Sequence, residues 1–218
     1  MIRRPKLLAG EDLLPEPRQA RSLEKRARLK AAGLALFGEK GYEGTSIEEI
    51  ASRAKLAVGG FYQHYRSKRQ LLLALMDELL EGLERLDLRP SSMADRRAGI
   101  RDLLRGAFAR DLHFLGAYRA WQEAVRADPG LARLHDRVHR WTTGRVLTVL
   151  SVLARMPGAR PHVDIPGIAR VMDTMFWSLL ADASRLSEPE LGRRIDALTH
   201  LIYHGIFADR PAKRGASS

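Results

Sequence analysis

The chain has 218 residues, 45% of them hydrophobic, no cysteine and a formal charge of +11 at neutral pH. A sizeable core can therefore be buried, whereas disulfides, thiol nucleophiles and thiolate-bound metals are excluded. No run of eighteen apolar residues occurs and the opening MIRRPKLLAGEDLLPEP lacks the apolar stretch of a secretory signal, so no membrane partner is expected and cytoplasm is the default location.

The positive charge is unevenly spread. Residues 1–70 carry 15 Lys/Arg against 8 Asp/Glu, and residues 71–218 carry 22 against 18. The first third thus holds most of the excess, as expected of a segment that meets a polyanion.

Residues 1–20 are expected to form a flexible basic leader, because Pro5, Pro15 and Pro17 interrupt any helix. Arg3, Arg4, Lys6, Arg18 and Arg21 allow a second reading, an arm reaching into a minor groove. From Ser22, the positions Leu29, Ala32, Gly33, Leu36 and Phe37 follow one buried helix face, and Gly38 and Gly41 end that helix near Lys40. Thr45 or Ser46, with Glu48 or Glu49 three residues on, predicts a capping box opening a short helix to about Ala54. A brief third helix follows over 58–65. Ser67 and Gln70 then open a long fourth helix to about Leu86, and Arg89-Pro90-Ser91-Ser92 breaks the chain. Further helices are expected over about 93–113 and 117–127. Asp128-Pro129 caps another running to about Met156, and two more cover about 166–184 and 188–207, the last capped by Ser187. The tail from Asp209 is polar and expected to be disordered. No segment has a convincing β period, so the fold class is all-α with about nine helices.

Two of these helices carry the function. Ile47, Ile50, Ala51 and Ala54 give the second helix one apolar face, Lys55-Leu56-Ala57 form a short turn, and Phe61 with Tyr65 give the third its inner face. That is a helix-turn-helix, whose second helix enters the major groove. Val58, Gly59, Gly60, Tyr62, Gln63 and His64 remain for its outer face. Glycines are poor helix formers, by about 1 kcal/mol each relative to alanine, so a pair of them in so short a helix points to close backbone approach.

The segment resembles the amino-terminal domain of TetR-family repressors, through Phe37…Gly41-Tyr42, Thr45-Ser46-Ile47, Ile50-Ala51, Gly59, Phe61-Tyr62 and Ser67-Lys68. The resemblance covers about residues 22–75. Lys55 stands where the family pattern usually has glycine, and Ala57 where a capping hydroxyl is common. The resemblance implies a DNA-binding domain over 21–68 and a helical effector-binding and dimerisation domain over 69–208. It implies that Ser46 or Thr45, Tyr62 and Lys68 contact phosphates of double-stranded DNA, and that Gly59 and Gly60 let the third helix sit deep in the groove. Val58 would touch a thymine methyl, His64 would lie along the groove wall, and Gln63 can pair bidentately with adenine.

It further implies a homodimer through the last two helices. Ile168, Val171, Met172, Met175, Phe176 and Leu179 form an apolar stripe there, as do Leu191, Ile195, Leu198, Ile202 and Ile206. Such a dimer needs a palindromic operator, with half-sites about 34–36 Å apart or a multiple of the helical turn. A small-molecule effector would release the repressor. Phe114, Tyr118, Trp121, Gln122, Trp141, Met172 and Trp177 are the candidate pocket lining.

Two other classes compete. A helical protein that organises DNA without sensing a ligand would share the basic first third. An enzyme could use His135 and His139, or His200 and His204, each pair one helical turn apart and able to share a metal. No third ligand is evident, so no cofactor, metal or catalytic residue is assigned. No phosphate-binding glycine loop, nucleophile elbow or redox motif occurs.

Overall fold

A computed structural model describes residues 3–15, 17–85 and 95–208. Among the described residues nine α-helices follow in order: α1 (Ala20–Lys40), α2 (Ile47–Arg53), α3 (Val58–Tyr62), α4 (Lys68–Arg85), α5 (Arg96–Asp111), α6 (Leu115–Ala127), α7 (Pro129–Leu153), α8 (Ile165–Asp182) and α9 (Glu188–Ile206). Single 3₁₀ turns, Leu112–Phe114 and Ala183–Arg185, close α5 and α8. The described residues contain no β-strand, only an isolated bridge between Ala159 and Phe207. No described helix is long and apolar enough to cross a membrane. The expected break at Arg89–Ser92, the expected helix start at Met93 and the tail from Asp209 lie outside the described residues.

The helix starts follow from local chemistry. Ser46 accepts from the Glu49 amide at 3.1 Å while the Glu49 carboxylate accepts from the Ser46 amide at 3.0 Å, which completes the capping box of α2. Ser67 accepts from the Gln70 amide at 3.2 Å, but the Gln70 side chain reaches back one residue further than expected, to the Arg66 amide at 3.0 Å. Asp128 caps α7 by accepting from the amides of Gly130 and Leu131 at 2.7 and 3.2 Å, with Pro129 in the first turn. Asp164 caps α8 from the Gly167 amide at 2.9 Å, so that helix starts just before Pro166.

Helices α1–α3 form a small head, with α2 packed on α1 and α3. Helix α4 leaves the head and enters a bundle in which α7 lies on α8 and α5 on α9. Helix α6 packs along α1, joining bundle and head. One buried cluster runs through both parts, from Leu29 and Phe37 through Leu71–Leu73 and Met76 to Trp121, Trp141 and Trp177.

The leader is not a flexible arm. Leu7 is 1% exposed and belongs to the core. Arg4 pairs with Asp77 at 2.7 Å and Glu84 at 3.1 Å, Arg66 pairs with Asp12 at 2.8 Å, and Arg69 pairs with Glu11. The Asp12 carbonyl also accepts from the Gln70 amide nitrogen at 2.8 Å. Acidic and basic residues of the leader meet opposite charges on and beside α4, so its described part is a docked strap, with a hydrogen-bonded turn over 7–10, rather than a loose chain. Leu7→Ala should lower stability by about 2 kcal/mol, a melting shift of about 4–8 °C for a chain of this size. Thermal unfolding of the two proteins measures it, and unchanged melting would mean that the leader is undocked.

Candidate nucleic-acid interface and ligand cavity

The turn between α2 and α3 is built from backbone bonds. The Lys55 amide donates to Ser52 and the Leu56 amide to Ala51, both at 2.9 Å, and Lys55 adopts φ 56°. This is the left-handed conformation that glycine usually supplies. Helix α3 starts at Val58, and Ala57 before it supplies no side-chain cap. It is anchored by Phe61, fully buried, and by Tyr65, whose hydroxyl accepts from Arg26 Nε at 3.4 Å.

The outer face that remains is narrower than the sequence suggests. Gly59 faces open space, Tyr62 is 49% exposed, and Gln63 is exposed beside it. Gly60 is turned inward, where an added β-carbon would sit 3.3 Å from Leu56 Cβ, so its role is packing against the turn. Val58 is half-buried against the core. His64 is buried rather than lying along a groove wall, because α3 ends at Tyr62 and the following turn swings the imidazole inward. Burial, together with the nearby charges of Arg26 and Lys25, pulls its pKa below the usual histidine value.

The supporting residues divide similarly. Thr45 is buried and its hydroxyl donates to the carbonyls of Gly41 and Leu36, which closes the end of α1 and removes it from the surface. Ser46 accepts from the Glu49 amide, and its hydroxyl is also hydrogen-bonded to the Glu49 carboxylate, so its side chain is engaged in the α2 cap. Lys68 donates to the carbonyls of Tyr42 and Thr45 at 2.6 and 2.9 Å, with its ammonium 4.3 Å from the centre of the Tyr42 ring. Two of its three N–H donors thus hold the loop before α2 against the start of α4. Lys25 and Arg26, on α1, lie near the end of α3 across almost forty residues of sequence. No local pattern marks that proximity, whereas Lys55, exposed in the turn, is marked in the sequence only as a departure from the family's glycine.

In the bundle, an apolar cavity of about 120 Å³ lies between α4, α5, α7, α8 and α9. Leu83, Leu103, Leu104 and Ala107 wall one side, and Val146, Val149, Met172 and Phe176 the other. Of the residues expected to line a pocket, Met172 and Trp177 do so. The others sit a layer behind or elsewhere, the α6 side chains Tyr118 and Trp121 being engaged by α8 and α7. Tyr118 stacks on Trp177 at 4.7 Å, Gln122 donates to the Tyr118 hydroxyl at 3.1 Å, and burial raises the Tyr118 pKa. Trp121 donates to His135 Nδ1 at 3.1 Å. Trp141 lies 5.3 Å beneath the Arg145 guanidinium, and Phe114 meets His113 edge-on.

The histidine pairs have protein neighbours of their own. His135 is held below the usual histidine pKa, chiefly by burial and then by His139. His139 Nδ1 lies 2.8 Å from Asp173 Oδ2, and His200 Nδ1 lies 3.3 Å from Arg97. Among the described residues no three or more metal-ligating groups converge.

Lys55→Gly should stabilise the head by about 0.5–1 kcal/mol. Relief of left-handed strain, about 1–2 kcal/mol, exceeds the added folding entropy of glycine, about 0.5–1 kcal/mol. Chemical denaturation of both proteins checks this, and a loss of stability would refute it.

Residues 29–75 match the profile of bacterial regulatory proteins of the tetR family. The chain is 43% identical over 51 residues to the uncharacterised regulator YerO of Bacillus subtilis, a match spanning 23% of this chain and 18% of YerO. The chain thus spans less than a fifth of the length of the first curated relatives that it matches. It is 33% identical over 161 residues to the transcriptional repressor KstR2 of Mycobacterium tuberculosis, covering 70% of this chain and 78% of the relative. The solved complex of SmeT with triclosan shares the fold, with a TM-score of 0.65 at 19% identity over 85% of this chain and 92% of that one. With its capped helix-turn-helix and a match over most of the length of KstR2, the chain belongs to the tetR family of helix-turn-helix regulatory proteins.

Proposed function

We propose that the protein is a homodimeric transcriptional repressor that binds a palindromic operator and leaves it when a small molecule occupies the bundle cavity. The observation that carries the DNA-binding part is the outer face of α3. Gly59 is bare, Tyr62 and Gln63 are exposed, and the helix is held by a capped α2 and a lysine-tied loop. KstR2 is named a transcriptional repressor, which supports repression as the mode.

Gln63 is the residue with a base preference. Gln63→Ala should remove about 1–3 kcal/mol of discrimination at one base pair per half-site. Tyr62→Phe should instead weaken binding to every sequence, and Lys68→Ala should do so while flattening the salt slope by about one unit. Fluorescence anisotropy on duplexes at several salt concentrations reads all three. Salt-independent affinity, or none for any duplex, would overturn the reading.

The dimer surface is supported by apolar residues that the bundle leaves outside. Val171 and Leu201 are 59% and 56% exposed, and Leu201 with Met175 and Ala197 borders a groove between α8 and α9 of about 400 Å³. This surface differs from the one anticipated from the α9 pattern: Ile195, Leu198, Ile202 and Ile206 are buried within the chain, because that face of α9 packs on α5. Leu201→Glu should turn a dimer into a monomer, since a buried unpaired charge is strongly unfavourable. Light scattering after size exclusion measures the mass, and a monomeric parent protein would refute the dimer.

The effector part is supported by the cavity itself and by triclosan held in SmeT. The cavity reaches Leu83 in the last turn of α4, whose first turn carries Lys68 into the head. A ligand that favours one placement of α4 would change the separation of two heads.

A further inference from the structure

The polar groups around the cavity are turned toward one another. Asp173 is buried; its Oδ1 accepts from Trp177 Nε1 at 3.2 Å and its Oδ2 lies 2.8 Å from His139 Nδ1. The Thr142 hydroxyl lies 3.2 Å from the carbonyls of Val138 and His139, to which it donates, and is approached at 3.4 Å by the same Trp177 nitrogen. Arg145 donates to the Leu83 carbonyl at 2.9 Å and lies over Trp141. Each of these side chains therefore has protein partners, and although Thr142, Arg145, Asp173 and Trp177 belong to the lining, the surface bordering the empty space is almost wholly carbon.

We infer that the cavity selects a compact, uncharged, hydrocarbon-like molecule of about the size of one aromatic or alicyclic ring, and rejects carboxylates and ammonium ions of the same shape. This deepens the effector reading and rests on it. The size follows from the volume: an engineered cavity of about 150 Å³ walled by Leu, Ile and Phe stays dry and binds benzene or xenon, and the present one is about 120 Å³. The selectivity follows from desolvation. A carboxylate brought to this wall would lose its water and meet an acidic side chain, Asp173, and the cation of the lining, Arg145, would have to leave the Leu83 carbonyl to greet it. An ammonium ion would have to compete with His139 and Trp177 for a carboxylate that already has both. Burying a charge without a new partner is strongly unfavourable, whereas apolar contact gains roughly 25 cal/mol per Å² on any face of the ring. The Asp173–His139–Trp177–Thr142 network then serves to fix the shape of the wall.

Three probes of matched shape separate the possibilities: toluene, benzoate and benzylamine, added to the full-length protein in sealed cells. Toluene at about five times its Kd should raise the melting temperature by about 2–4 °C and shift the ¹³C signal of the Met172 methyl group. Benzoate and benzylamine should bind at least thirty-fold more weakly. Val146→Phe and Ala107→Leu, which fill the space, should each weaken toluene at least ten-fold. Asp173→Asn should change its affinity less than three-fold. If the filling variants unfold, the Met172 signal of the parent protein still reports which probes enter the cavity. Equal or tighter binding of either charged probe at Met172, or no Met172 response to toluene, overturns the inference. Operator release is read separately by anisotropy. Toluene binding without release leaves the ligand class standing and counts against the effector role, whereas release by a charged ligand alone does the reverse.

Discussion

The pose of the reading head depends on one steric constraint, the contact of two helix backbones where Gly116 of α6 meets Gly38 and Leu34 of α1. A β-carbon on Gly116 would lie 2.2 Å from the Leu34 carbonyl oxygen and 2.8 Å from the Gly38 nitrogen, so no larger residue fits without separating the helices. Two turns further along α6, the Glu123 carboxylate accepts from the amides of Tyr42 and Glu43 at 2.7 and 3.0 Å, which ties down the chain leaving α1. Gly41 completes the joint. It takes φ 77°, and a β-carbon there would come within 2.5 Å of Glu123 Oε2. Head and α6 therefore move as one body, and any signal from the cavity must reach them through the elements that join this body to the rest.

Helix α4 is the main such element. Its 18 residues make it about 27 Å long, with Leu83 at the cavity and Lys68 and Arg69 at the head. Both ends are tied. Arg145 donates to the Leu83 carbonyl, while Arg69 is bridged to Glu11 of the leader and, at 3.0 Å, to Asp128, the residue that caps α7. The leader runs beside the helix, with Arg4 against Asp77 and Glu84. Exposed ion pairs contribute little singly, about 0–1 kcal/mol, but these share one helix with the burial of Leu7. Together they make α4, the strap and the start of α7 a connected unit rather than a free lever.

What was legible in the sequence was what is local. The α2 capping box, the Asp128-Pro129 start and the helix-turn-helix spacing each depend on residues within a few positions of one another, and the structure keeps them. What was not legible depends on which neighbour claims a face. The α9 stripe has the right period for an interface, yet α5 covers it, and the exposed residue is Leu201. The α6 aromatics have the character of a pocket lining, yet α8 and α7 claim them, through Trp177 on Tyr118 and His135 on Trp121. Thr45 and Ser46 are adjacent hydroxyls that can both cap, serine somewhat better, and the packing against α1 buries Thr45 while Ser46 caps. The docking of the leader was hidden because its prolines exclude a helix but say nothing of burial; Leu7, in the short run Leu7-Leu8-Ala9, gives no periodic signal.

A recognition helix of five residues carries little sequence information. With Gln63 as the proposed base-reading group, discrimination of about 1–3 kcal/mol per contacted base pair would leave one head poorly selective, and phosphate contacts add affinity without adding specificity. Duplication is what makes such a head useful, because a palindrome doubles the discrimination and demands one spacing. The same demand makes the proposed dimer sensitive to ligand. A tilt of α4 by about 5° over its length of about 27 Å displaces its head by roughly 2 Å, and in the opposite sense on the two-fold partner. Half-sites on DNA are fixed by the helical repeat, so two heads moved apart by several ångströms cannot both seat. The weaker each head is alone, the more completely one displaced head releases the pair, and a short, sparsely decorated α3 therefore suits a switch better than a long, tightly binding one.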